Sequence, residues 1–235
     1  MMKPIAVLLA PGINCHEETA FAIEQAGHPA EIVLVSHLRD GRKRLPDYPA
    51  VVIPGGFSYG DHFRTGVAFA LLFEEMLREF AALGRPMLGI CNGFQIMMEA
   101  GLFDSEGQSA GALVPNTSGR FESRWVKLLA LPGSPWTEGF AGRVLRMLVA
   151  HGEGRWLKPE HLPSGLQPFI VYCDESGQPT ESYPDNPNGS PGGAAGLSKD
   201  NVAALMPHGE RANDMALGST DGRLIFQSLV RLARR

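Results

Sequence analysis

The residue pattern predicts an α/β protein: a three-layer αβα arrangement built on a mostly parallel, doubly wound sheet, with an antiparallel extension at its edge. Three observations carry this expectation. Short continuous apolar runs at 5–10, 50–54 and 86–90 read as strands covered on both faces, the habit of a parallel sheet. Helical spacing between such runs, clearest over 67–83, calls for crossover connections. After Leu102 the pattern changes to strand-like segments separated by loops rich in glycine, proline and asparagine.

In chain order, the run 5–10 is the first strand. A loop through Pro11-Gly12-Ile13-Asn14 leads to a helix that reaches about Gln25 and is stopped by Gly27. Residues 31–35, 50–54 and 86–90 supply the next three strands. In such sheets the binding crevice lies at the carboxyl ends of the strands, so the turns at Gly55-Gly56 and after Ile90 open into it. Segments 125–131, 144–150, 169–173, 194–197 and 202–206 read as the antiparallel extension of the same sheet, which makes residues 1–235 a single domain. Composition leaves open whether 183–193 is merely a solvated surface loop. A last helix spans 221–233.

At 235 residues, 44% hydrophobic and 20% charged, the chain can bury a sizeable core. A net charge of −4 without a long basic run argues against nucleic-acid binding. No apolar stretch is long enough to span a bilayer, and Met1-Met2-Lys3-Pro4-Ile5 runs straight into the first strand; a cytoplasmic protein with no membrane partner is expected. The three cysteines, Cys15, Cys91 and Cys173, have no metal-type spacing, which speaks against a disulfide framework or a metal centre.

Gly89-Ile90-Cys91-Asn92-Gly93 joins a strand to a helix in the manner of a nucleophile elbow, with cysteine as the reactive residue. The start of a helix favours thiolate; the plainer alternative is a buried structural thiol. A nucleophilic thiolate needs a base, and the base needs an orienting group. Two triplets offer both: His151-Gly152-Glu153 and His208-Gly209-Glu210 each follow a strand. If these segments stay extended, residues two apart share a face and the carboxylate can hold the imidazole. Spacing does not choose between them. An oxyanion hole has candidate donors in a backbone N–H of Pro54-Gly55-Gly56-Phe57 and in the N–H of Asn92.

Taken in order, these motifs resemble the class I (triad) glutamine amidotransferases, which have a flavodoxin-like sheet, and within them the glutaminase subunits of purine biosynthesis. The resemblance rests on Gly12-Ile13-Asn14-Cys15, Ile53-Pro54-Gly55-Gly56-Phe57-Ser58-Tyr59-Gly60-Asp61 and Leu88-Gly89-Ile90-Cys91-Asn92-Gly93-Phe94-Gln95. It continues through Asn116-Thr117-Ser118-Gly119-Arg120-Phe121-Glu122, His151-Gly152-Glu153-Gly154-Arg155, Asn186-Pro187-Asn188-Gly189-Ser190 and Met206-Pro207-His208-Gly209-Glu210-Arg211. The segments 57–61 and 186–190 narrow it to the purine branch, ahead of subunits serving GMP or anthranilate synthesis. The chain departs from the family at Gly209, where proline is usual, and at His16, where an acidic residue is common.

The resemblance implies a triad of Cys91, His208 and Glu210, oxyanion donors at Gly56 and Asn92, and substrate held by Gln95. L-glutamine is the implied substrate, and ammonia passes to a partner. No phosphate-binding G-x-x-x-x-G-K-[ST] motif occurs in the chain. ATP and Mg are therefore expected on a separate synthase subunit, with room for a small third subunit in the complex. No cofactor is expected in this chain. A free-standing cysteine hydrolase of the same fold, an amidotransferase subunit of another pathway and a non-catalytic subunit remain the alternatives.

Overall fold

Apolar runs and helical spacing become, in the computed structural model, which describes residues 2–60, 66–105 and 107–235, a nine-stranded sheet flanked by helices. The first half alternates strand and helix: β1 (Ile5–Leu9), α1 (His16–Gln25), β2 (Ala30–Leu34), α2 (Val35–Arg39), β3 (Val51–Ile53), α3 (Val67–Ala82), β4 (Met87–Ile90) and α4 (Asn92–Glu99). The second half is mainly strands: β5 (Ala112–Pro115), β6 (Glu122–Ala130), β7 (Val144–His151), β8 (Glu153–Leu157), β9 (Gln167–Cys173), β10 (Ala194–Lys199) and β11 (Val202–Leu205), followed by α5 (Arg223–Ala233).

The sheet order is β2-β1-β3-β4-β11-β10-β9-β6-β7. Pairings from β2 to β11 are parallel, and those from β11 to β7 are antiparallel. The crossover from β1 to β2 runs one way along the sheet and that from β3 to β4 the other way. Right-handed connections then put α1 and α3 on opposite faces. The helix partners agree, since α1 packs on α5 and α3 packs on α4. Buried on both sides, β1, β3, β4 and β11 consist almost wholly of apolar residues.

Two features differ from the sequence expectation, and a third decides a reading that composition left open. Strand β11 is not an outlying member of the antiparallel extension: it is parallel to β4 and antiparallel to β10, so it joins the two halves. Strands β5 and β8 form a small separate sheet that their short, unpatterned sequences did not signal. Residues 183–193 are not a solvated loop. Asn186, Asn188 and Ser190 are buried. Asn188 Nδ2 donates to the Gly154 carbonyl at 2.7 Å, and the Trp156 N–H donates to Ser190 Oγ at 3.0 Å, so the loop fastens β8 in place. Among the described residues no helix is long and apolar enough to cross a membrane.

Candidate active site

Sheet order assembles the site. Strands β3, β4 and β11 are neighbours, with Ile53 opposite Gly89 and Leu205 opposite Ile90. The residues that follow their carboxyl ends, Gly55-Gly56, Cys91 and His208, therefore emerge side by side at one edge. Cys91 sits at φ 51°, ψ −105°, directly before α4. A side chain at positive φ is strained, and such strain concentrates at functional turns. The turn is held by the Cys91 N–H donating to the Leu205 carbonyl at 2.8 Å and by the Cys91 carbonyl accepting from Phe94 and Gln95. Gly93 is required by close approach: a Cβ there would lie 1.9 Å from the Ile53 carbonyl oxygen. The thiol is 6% exposed and donates weakly to the Ala150 carbonyl at 3.6 Å.

His208 and Glu210 are both buried, and His208 Nδ1–H donates to Glu210 Oε1 at 2.5 Å. The segment is not extended as expected. Gly209 is helical (φ −64°, ψ −33°) and Glu210 opens a 3₁₀ turn, which brings the carboxylate back onto the ring. The loop is pinned by the His208 N–H, which donates to the Leu148 carbonyl of β7 at 2.7 Å. Burial alone depresses the imidazole pKa, but the Glu210 carboxylate, Cys91 and Cys15 outweigh it and hold the ring well above its ordinary 6.5. His208 Nε2 and Glu210 Oε2 are buried without a hydrogen-bond partner among the described residues.

Gly56 has φ 155°, and a Cβ on it would meet the Gly12 carbonyl oxygen and Ile13 Cα at 2.6 Å. The Gly55–Phe57 strand is stitched to the β1–α1 loop by Asn14 N–H and Cys15 N–H, donating to the Gly55 carbonyl, and by Phe57 N–H, donating to the Gly12 carbonyl. In this bridge the N–H of Gly56 is turned away from the Ile13 side. The N–H of Asn92, in the first turn of α4, lacks an intrahelical acceptor by geometry. The Asn92 side chain accepts from the Ser58 N–H at 3.1 Å and donates to Gln95 Oε1 at 3.1 Å. Gln95 Nε2 in turn donates to the Glu153 carbonyl at 2.6 Å, leaving Gln95 one amide hydrogen and one lone pair unused by these bonds.

The other triplet behaves differently. His151 is buried, and its Nδ1 meets Asn116 Oδ1 at 3.1 Å, not the Glu153 carboxylate. Burial, reinforced by the nearby His208, lowers its pKa to about 3, so the ring is neutral. Sequence spacing missed the surroundings of His208 altogether. Cys15 lies behind it, with Cys15 Sγ, a His208 nitrogen and a Glu210 oxygen all within 4.8 Å of one another. Arg211 Nη2 donates to Cys15 Sγ at 3.1 Å. Both belong to local motifs, at 12–15 and 206–211, yet nothing local says that they meet, because Cys15 and Arg211 come together only through the sheet. Asp61, part of the motif at 53–61, lies outside the described residues.

Residues 3–223 match the family described as CobB/CobQ-like glutamine amidotransferase domain. The chain is similar to the phosphoribosylformylglycinamidine synthase subunit PurQ of Pyrococcus horikoshii, 44% identical over 234 residues that cover 97% of this chain and 98% of the relative. It is also similar to that subunit from Chlorobium chlorochromatii, 40% identical over 97% of this chain and 96% of the relative. Among solved structures it is similar to a chain in the structure of PurLQS from Thermotoga maritima, with a TM-score of 0.82, 33% identity and coverage of 98% and 99% of the two chains. A glutamine amidotransferase from the same organism shares the fold at a TM-score of 0.56 and 14% identity.

Proposed function

The chain belongs to the CobB/CobQ-like glutamine amidotransferase family, and from this we propose that it hydrolyses L-glutamine as the glutaminase subunit of phosphoribosylformylglycinamidine synthase. The ammonia goes to the synthase subunit for ATP-dependent conversion of formylglycinamide ribonucleotide to formylglycinamidine ribonucleotide. The observation that carries the catalytic assignment is the buried His208–Glu210 pair beside Cys91, which stands at a strained strand-to-helix turn.

Cys91 thiolate attacks the side-chain carbonyl carbon of glutamine, and the N–H groups of Gly56 and Asn92 stabilise the oxyanion. His208, kept protonated by Glu210, gives its proton to the departing nitrogen as the C–N bond breaks and ammonia leaves. Neutral His208 then takes a proton from water, which attacks the γ-glutamyl thioester. Glutamate leaves, and Cys91 regains its starting form. Gln95 helps hold the glutamine. The chain works as one domain, in the cytoplasm, and ATP and Mg bind on the partner.

The deciding experiment uses the assembled synthase. Cys91→Ala abolishes glutamine-dependent synthesis and leaves ammonia-dependent synthesis intact; a variant that still used glutamine would overturn the assignment. Because Cys91 and His208 are nearly closed off, partner docking completes the site. Glutamine turnover by the isolated chain is expected to be far slower than in the complex, and equal rates would exclude this gating.

A further inference from the structure

We infer that Cys15 is a positioning residue that couples the oxyanion strand to the catalytic imidazole, an inference that rests on the glutaminase reading of Cys91 and His208. Cys15 is 1% exposed, yet its neighbours are not those of an inert buried thiol. Its sulfur donates to Asn14 Oδ1 at 3.3 Å and accepts from Arg211 Nη2 at 3.1 Å. It lies in the same 4.8 Å cluster as the ring nitrogen and carboxylate oxygen of His208 and Glu210. Its backbone faces the other way: the Cys15 N–H donates to the Gly55 carbonyl at 3.2 Å, one residue before the Gly56 donor. One residue thus touches both halves of the machinery.

The space around it is filled. A Cβ built on Gly55 would come within 2.8 Å of His208 Cε1 and 3.2 Å of Cys15 Sγ, so strand, ring and thiol meet at one point. Cys15 is itself anchored, since its carbonyl accepts from Thr19 Oγ1 at 2.6 Å and from the Thr19 N–H at 3.1 Å at the start of α1. Arg211 reaches the thiol from the turn that carries Glu210 and faces Glu18 of α1 at 4.0 Å. The thiol bonds Asn14 of the β1–α1 loop and Arg211 of the turn that carries Glu210, and so holds the carboxylate that orients the imidazole while the ring's protonation state changes. It also contributes to the raised pKa of that imidazole.

The test uses the assembled synthase with Cys15→Ala, Cys15→Val and Cys15→Ser. Val fills the space without a hydrogen-bonding group and answers the question even if the Ala variant does not fold. Removing the thiol lowers glutamine-dependent kcat by about ten- to a hundredfold, the scale of a misplaced catalytic group, with KM little changed. The alkaline limb of the kcat–pH profile moves to lower pH, because imidazolium is lost earlier. Cys15→Ser restores most of both. A Val or Ala variant whose kcat and alkaline limb match those of the parent, in a complex that Cys91→Ala inactivates, overturns the role of Cys15. A Cys91→Ala complex that still uses glutamine overturns the glutaminase reading itself, and with it this inference.

Discussion

Glu210 is the residue on which the charge state of the site turns. Its carboxylate is the leading influence that raises the His208 pKa against burial. Glu210→Gln keeps the shape and removes the charge, so the alkaline limb of glutamine turnover shifts to lower pH and kcat falls by about a hundredfold or more, as when a triad acid is neutralised. A pH–rate profile on the complex reads both. The two buried histidines also give stability opposite pH dependences. His208, raised on folding, stabilises the fold fully below the unfolded value of 6.5 and loses that contribution as pH climbs through its folded value. His151, lowered to about 3, is neutral in the fold and protonated when unfolded, so its effect is lost as pH falls from 6.5 toward 3. His151→Gln is expected to flatten the acid-side fall in melting temperature across that window, as thermal melts at graded pH would record. Cys91, His208 and Glu210 were legible as candidates because each sits in a compact local motif. The choice between the two His-Gly-Glu triplets was not, since it depends on whether Asn116 or a carboxylate meets the ring, a contact made across the fold.

At the scale of elements, the elbow and the His208 loop make contrasting demands on their glycines. Gly93→Ala would drive a methyl to 1.9 Å from the Ile53 carbonyl, forcing α4 away from β3. Overpacking of this kind costs about 1–3 kcal/mol or more, and a clear fall in melting temperature together with loss of glutamine turnover is expected. Gly209 is the reverse case. Its φ of −64° is that of proline, and a Cβ there meets neighbours only at 3.5 Å or beyond. Gly209→Pro is expected to raise stability by about 0.4–1 kcal/mol without loss of turnover, measurable by thermal or urea unfolding. The central strands, α3 and α5 could be read from the sequence because their apolar spacing is strong, and α1 because the 11–14 loop and Gly27 bracket it. Strands β5 and β8 could not, being four and five residues long with their support coming from a distant loop.

Across the whole molecule, the parallel and antiparallel halves share one sheet, and β11 is the seam. The sequence showed both halves but not the seam, since Val202–Leu205 reads alike whether its neighbours are parallel or antiparallel. That seam also sets a schedule. During synthesis β4 and β10 are both made before β11, and until it inserts each presents an unpaired edge of backbone N–H and C=O groups. Cys91 leaves the ribosome more than a hundred residues ahead of His208, but the Leu205 carbonyl that holds the Cys91 turn arrives with β11 itself. A nascent chain therefore carries a Cys91 turn without that bond, and an open sheet, until β11 is made. A chain cut after Asp200 is expected to be recovered as aggregate, whereas one that retains β11 and the segment beyond it stays dispersed, a difference that a sedimentation assay on translated fragments would reveal.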